Sequence, residues 1–263
     1  MARFHIIAGG DELIADPSVN HITTADIKDA LMKGANDFLA MRSDILFLGF
    51  IYPIVGLCIA MWASNENLLP LLYPLMSGFA LIGPVAAVGL YEVSRRQERG
   101  LDSSWQHAFD VLRSPSMPSI LALGLLLAVI FVLWLATAQA LYQSLFGPMA
   151  PESLGQFVRK VFTTSQGWKL ILFGNAIGFA YAALVLSLSV VSFPLLLDRD
   201  VGAAAAVRTS VKAVRENPVM MALWGLIVAA ALVAGFATLL IGLALIIPVL
   251  GHATWHLYRK VVA

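Results

Sequence analysis

Two histidines four residues apart, His252 and His256, have the spacing most typical of a ligand site in this sequence. Residues four apart in an α-helix share a face, so both imidazoles would point the same way. Such a pair could hold a metal ion or one edge of a haem. The alternative, which we favour, is an aromatic belt with Trp255 and Tyr258, and we assign no metal and no cofactor. The residues available to complete a metal site lie near the ends of apolar segments: Glu92, His107, Asp198 and Asp200.

A second group of residues combines positive and negative charges at the ends of two apolar segments. One function for such a group is contact with a partner protein, an anion or a lipid headgroup. The alternative is a set of ion pairs that fixes the helix ends and the topology. The sequence leaves both interpretations open. The candidate contact residues are Glu92, Arg95, Arg96 and Arg99 after one segment, and Asp198, Arg199 and Asp200 after the other.

The sequence contains no recognisable catalytic motif. It has no phosphate-binding glycine loop with Lys-Ser/Thr, no zinc-protease His-Glu pair and no CxxC. No Asp, Glu, Lys or Arg lies in the middle of a predicted membrane span, where proton relays and ion-coupled transporters usually place them. Because no convergent acid, base and nucleophile can be named, we predict no catalytic residues.

The composition indicates a membrane protein. Of the 263 residues, 59% are hydrophobic and 13% are charged, whereas soluble domains carry about 25% charged residues. The mean hydropathy is +0.82. The net charge of +1 gives no electrostatic reason to expect nucleic acid as a partner.

The apolar segments predict an all-α, polytopic membrane fold with six transmembrane helices in three hairpins plus amphipathic interfacial helices. The last apolar tract, 219–258, is too long for one helix in a hydrocarbon core about 30 Å thick, so we divide it near 234–242. The predicted parts are a polar N-terminal tail (1–22), an amphipathic interfacial helix (23–42) and a six-span domain (43–263). The spans are predicted near 44–62, 68–91, 119–146, 168–197 and on either side of the division, with cytoplasmic helices near 103–113 and 202–217.

The placement of basic residues predicts the orientation. With both termini in the cytoplasm, 14 of the 17 basic residues lie on the cytoplasmic side. The positive-inside rule favours this arrangement. A five-span chain would place Arg259 and Lys260 on the opposite side and lose the agreement.

Small residues recur at every fourth position of the fourth predicted span, at Gly174, Gly178 and Ala182. Such a stripe lets two helices approach closely. The sequence does not decide whether the partner helix belongs to the same chain or to another one.

Four segments resemble one family. They are ITTADIKDALMKGANDF (22–38), GPxxAxGLYExSRRxERG (83–100), PLLLDRD (194–200) and PVLGHATWHLYRK (248–260). They are similar to the proteobacterial integral membrane family named domain of unknown function 2189. The resemblance implies a bacterial inner-membrane protein with several spans and implies no activity. Some members carry a label as a cytochrome c oxidase subunit, but the five histidines here are too few for the catalytic one.

We therefore expect a non-catalytic inner-membrane protein that acts as an accessory, assembly or scaffold factor, for example of a respiratory complex. The alternative is a transporter or binder of an apolar or lipid-like molecule, because Gly and Pro interrupt several spans. The expected partners are the lipid bilayer and another membrane protein. The sequence does not indicate the oligomeric state.

Overall fold

The computed structural model of the protein describes residues 17–40, 54, 57–58, 61, 69–149, 151, 153–238 and 240–263. Within these residues the regular structure is helical, as the sequence predicts. The α-helices are α1 (Thr24–Ala40), α2 (Leu72–Ala86), α3 (Val88–Glu98), α4 (Met117–Phe146), α5 (Leu154–Thr163), α6 (Ser165–Ser189), α7 (Ser192–Asp198), α8 (Gly202–Glu216), α9 (Pro218–Ala237) and α10 (Leu243–Val261). Two 3-10 helices cover Leu69–Leu71 and Trp105–Arg113.

Three segments of the described residues are long and apolar enough to cross a membrane. They are Met117–Phe146, Ser165–Asp198 and Pro218–Ala237. The last apolar tract divides where α9 ends and α10 begins, with a turn between Ala237 and Leu243. The first predicted span, near 44–62, falls almost entirely outside the described residues, so the count of six spans stays a prediction.

The chain forms two compact units. The first comprises the described residues of Met1–Pro53 with Gly83–Leu125 and Leu186–Ala263. The second comprises the described residues of Ile54–Ile82 with Leu126–Val185. The charged candidates and the histidine pair all belong to the first unit.

In the first unit α1 packs closely against α10. Gly34 makes the approach possible, because a Cβ at this position would lie 2.5 Å from the Ala253 backbone nitrogen. Ile27 and Ala30 are buried on the same face of α1. At its start, Asp26 accepts hydrogen bonds from the Thr23 backbone N–H (2.8 Å) and hydroxyl (2.7 Å), which caps the helix. The contact with α10 agrees with the amphipathic pattern of α1, whose predicted place on the membrane surface stays a prediction.

The two ends of the described chain meet in the same unit. Val19 and Val262 form an antiparallel bridge, and the Asn20 N–H donates to the Val261 carbonyl at 2.8 Å. Asn217, just before α9, accepts from the Ile22 N–H at 2.8 Å. The start of α9 and the end of α10 therefore lie beside the same N-terminal segment, which makes these two helices a hairpin.

In the second unit the small-residue stripe packs within the chain. A Cβ added at Gly178 would lie 3.2 Å from the Trp134 ring, and one at Gly174 would lie 3.8 Å from Leu141. The Tyr73 hydroxyl donates to Asn175 Oδ1 at 2.8 Å and so links α2 to α6. The stripe thus has a partner helix, α4, inside the same chain.

Candidate functional site

Most of the charged residues that the sequence singles out surround one cavity in the first unit. The cavity has a volume of about 370 Å³. It lies where α3 and α7 end and where α4 is about to begin. Arg99 does not line the cavity but reaches Asp198 at 3.2 Å. The lining charged residues are Glu92, Arg95, Arg96, Asp110, Arg113, Asp198, Arg199 and Asp200.

Arg95 joins α3 to α7. Its guanidinium lies 2.6 Å from the Glu92 carboxylate, one turn away on the same helix. It also donates to the Leu197 carbonyl near the end of α7, at 2.7 Å. Glu92 is buried, so removing Arg95 would leave a carboxylate without its countercharge.

Asp198 joins α3, α7 and α10 at the edge of the cavity. It accepts a hydrogen bond from the Tyr258 hydroxyl at 2.8 Å and lies 3.5 Å from Arg259. Arg259 also pairs with Glu98 at 3.1 Å, and Glu98 accepts from the Trp255 indole N–H at 3.1 Å. The helix ends are therefore held by a network of polar contacts, as one of the two interpretations of the charges expects.

The 3-10 helix Trp105–Arg113 contributes Asp110 to the cavity wall, and His107 on the same helix pairs with it. His107 Nδ1 lies 2.6 Å from Asp110, and Arg96 lies 3.5 Å from the same carboxylate. The hydrogen bond to Asp110 raises the pKa of His107, opposed by partial desolvation and assisted by Asp102. The same hydrogen bond lowers the pKa of Asp110. The sequence predicts a helix near 103–113, and the structure gives it 3-10 geometry.

Arg113 differs from the other cavity arginines. It is exposed, lines the cavity and makes no hydrogen bond or ion pair with any residue that the structure describes. The Nε–H of Arg95 is buried and also has no hydrogen-bond partner among the described residues. The cavity therefore retains donor capacity that the protein itself does not use.

The histidine pair lies elsewhere in the first unit, in a buried cluster with Asp37 and Ser94. The Ser94 hydroxyl donates to Asp37 Oδ2 at 2.6 Å, and His256 Nε2 lies 2.8 Å from the same oxygen. His252 Nδ1 lies 2.8 Å from Ser94 Oγ. A serine hydroxyl has one proton. If it is donated to Asp37, then His252 carries its proton on Nδ1.

The position of this cluster differs from the aromatic belt that we expected for the histidine pair, and the metal candidate stays a prediction. His252 and Trp255 are buried inside the protein, whereas an aromatic belt would face the membrane interface. Among the described residues no group of three or more His, Cys, Asp or Glu side chains is placed to hold a metal ion. His252 Nε2 is buried without a hydrogen-bond partner in that part of the chain.

Asp37 is the charged centre of the cluster. Burial opposes its ionisation, but hydrogen bonds from His256 and Ser94 outweigh that cost and lower the pKa of Asp37. The carboxylate therefore ties α1 to α10 through His256 and to α3 through Ser94.

Asp37 and Ser94 are not among the candidate residues that the sequence indicates. The sequence pattern that could have indicated Asp37 is its position on the stripe of α1 that contains Ile27, Ala30 and Gly34. An acidic residue on a buried stripe requires a polar partner. That partner, His256, is 219 positions away along the chain.

The comparisons with known proteins address the central part of the chain. The family described as "Predicted integral membrane protein (DUF2189)" matches residues 72–198. The match includes the Gly83–Gly100 motif and most of the Pro194–Asp200 motif, and the first and last resembling segments lie outside it. Neither the curated proteins nor the solved structures gave a match.

Proposed function

We propose that this DUF2189 protein is a non-catalytic bacterial inner-membrane protein that acts as an accessory, assembly or scaffold factor, for example of a respiratory complex. The observation that carries the proposal is the charged cavity. Six of the seven contact residues suggested by the sequence line it. The cavity lies beside the N-terminal end of one candidate span and the C-terminal end of another.

The residues that line the cavity favour docking of a polar group. They argue against the alternative function, which is binding or transport of an apolar molecule. Eight of the thirteen lining residues are charged, whereas pockets for apolar small molecules are lined mostly by hydrophobic and aromatic side chains. A cavity at the ends of membrane spans is accessible to a partner that sits at the membrane surface.

The contacts of the chain ends support placing both termini in the cytoplasm. Residues 18–20 pair with residues 261–263, and the Arg199 guanidinium donates to the Ala263 carbonyl at 2.8 Å. These contacts bring the N-terminal segment, the C-terminus and the loop after α7 to one side. Most of the basic residues lie in segments that the sequence predicts on that side, so the positive-inside rule supports assigning it to the cytoplasm.

The docking role is tested by purification of tagged protein in mild detergent after cross-linking in the cell, with mass spectrometry of what is recovered. We expect a partner membrane protein with the wild type and with Arg215→Glu, an exposed position on α8 outside the cavity. We expect the partner to be lost with Arg113→Glu. Recovery of this chain alone, or equal recovery with all three proteins, would contradict the proposal.

The orientation is tested separately with reporter fusions at Ala263. A reporter active only in the cytoplasm is expected, and a reporter active only in the periplasm would contradict the proposed topology. Fusion at Met149, in the loop between α4 and α5, should give the opposite result.

A further inference from the structure

The carboxylates around the cavity already have partners. Glu92 lies against Arg95, Asp110 against His107, and Asp198 accepts from Tyr258 and contacts Arg99. Asp200 lies 3.5 Å from the Ser116 hydroxyl. Each of these carboxylates thus lies close to a partner within the protein, although Glu92 Oε2, which faces Arg95, is buried and accepts no hydrogen bond from the described residues.

The cavity also contains donors that the described residues do not use. Arg113 is exposed and lines the cavity; its charge acts on Asp110, but it makes no hydrogen bond or ion pair among the described residues. The buried Nε–H of Arg95 has no hydrogen-bond partner there either. Arginine presents its N–H groups as a planar fork that matches the oxygens of phosphate. A ligand that completes this cavity must supply acceptor oxygens and negative charge.

The position of the cavity adds a second argument. Ser114, Pro115 and Ser116 line it immediately before α4 begins at Met117, and the start of a helix carries a partial positive charge. Met117–Phe146 and Ser165–Asp198 are both candidate spans, so the ends that meet here would lie at the level of lipid headgroups.

We propose that the cavity binds a phosphate group, carried by an anionic phospholipid or by a soluble phosphate ester, with Arg113 as its principal contact. The inference deepens the proposed docking function and rests on it. A volume of about 370 Å³ is within the range of small-ligand pockets and accommodates a glycerophosphate headgroup.

The test uses the full-length protein in mild detergent and titrates three probes. Dihexanoyl phosphatidylglycerol supplies phosphate on a lipid, glycerol 3-phosphate supplies it without acyl chains, and dihexanoylglycerol supplies the chains without phosphate. Binding is measured by calorimetry for the wild type, for Arg113→Gln and for Arg215→Gln. Arg215 is the matched control, because it is exposed and outside the cavity.

We expect Arg113→Gln to weaken binding of the phosphate probe about tenfold, and Arg215→Gln to leave it unchanged. If the protein binds dihexanoyl phosphatidylglycerol but does not bind glycerol 3-phosphate, the source of the phosphate is a lipid headgroup. Binding of glycerol 3-phosphate at least as tight as that of phosphatidylglycerol, with the same dependence on Arg113, identifies a soluble phosphate ester as the source.

Three results would overturn the inference: no binding of either phosphate probe, equal binding by all three proteins, or binding of dihexanoylglycerol as tight as that of phosphatidylglycerol. The proposed docking function fails on a different observation. A partner protein recovered with the wild type but lost with Arg113→Glu, together with no phosphate binding, would remove the phosphate and leave the docking function standing.

Discussion

The buried cluster and the cavity are built from similar polar residues but differ in whether an unused group is accessible: His252 Nε2 in the cluster is buried, whereas Arg113 in the cavity is exposed. In the cluster, Asp37, Ser94, His252 and His256 bond to one another away from water. In the cavity, the carboxylates are engaged while Arg113 is not. We infer from this difference that the first region holds α1, α3 and α10 together, and we propose that the second binds a ligand. Substitutions in the cluster should therefore change stability, and substitutions of Arg113 should change binding.

The largest loss of stability is expected where α1 crosses α10. A methyl group at Gly34 would collide with the Ala253 backbone, so Gly34→Ala should lower the free energy of unfolding by about 3 kcal/mol, as overpacked sites do. The control is Gly155→Ala in α5, where a Cβ would meet no atom within 4 Å. This control should be neutral or stabilise by about 0.5 kcal/mol. Thermal unfolding in detergent measures both, and equal effects would refute the close crossing.

A smaller loss is expected at the centre of the buried cluster. Asp37→Asn removes the charge that accepts from His256 and Ser94, at a cost of about 2 kcal/mol. Asp29→Asn is the control on the same helix, because Asp29 makes exposed ion pairs with Lys33 and Lys260 that contribute about 0.5 kcal/mol. Similar unfolding midpoints for the two variants would show that the cluster is not structural.

The lowered pKa of Asp37 predicts the direction in which the stability of the protein changes with pH. Its pKa is lowered by folding, so its ionised form stabilises the protein above the unfolded pKa of about 3.9. This stabilisation is lost as the pH falls through the lowered folded pKa. Below about pH 4, the difference in stability between the wild type and Asp37→Asn should therefore become smaller. A constant difference between the two unfolding midpoints from pH 7 to pH 3 would exclude this contribution.

The smallest effect is expected at the edge of the cavity. Tyr258→Phe removes one hydrogen bond to Asp198, which keeps its contacts with Arg99 and Arg259. We expect a loss of about 1 kcal/mol, measured by the same unfolding assay. A loss as large as that of Gly34→Ala would mean that the cavity edge is as structural as the cluster.

The parts of this molecule that could be predicted from the sequence depend on local patterns. The amphipathic stripe of α1 and the division of the last apolar tract follow from hydrophobic periodicity and from helix length against bilayer thickness. The charges around the cavity could be grouped because both sets immediately follow apolar segments, which places them at helix ends.

The parts that could not be predicted depend on contacts between distant positions. The histidine spacing indicates a shared face but not the residue that this face meets, which is Asp37 on α1. Arg113 lies at the end of an amphipathic segment, as Arg215 does, and only the arrangement of helix ends shows that Arg113 lines the cavity. The 3-10 geometry of Trp105–Arg113 has no clear signal in its amphipathic pattern.

The most direct test of the contrast between the two regions is thermal unfolding of the wild type, Asp37→Asn and Arg113→Gln, each with and without dihexanoyl phosphatidylglycerol. Without lipid, Asp37→Asn should unfold at a lower temperature and Arg113→Gln at the wild-type temperature. The lipid should then raise the midpoint of the wild type and of Asp37→Asn by a similar amount, and that of Arg113→Gln by much less. The account is contradicted if the lipid stabilises Arg113→Gln as strongly as the wild type.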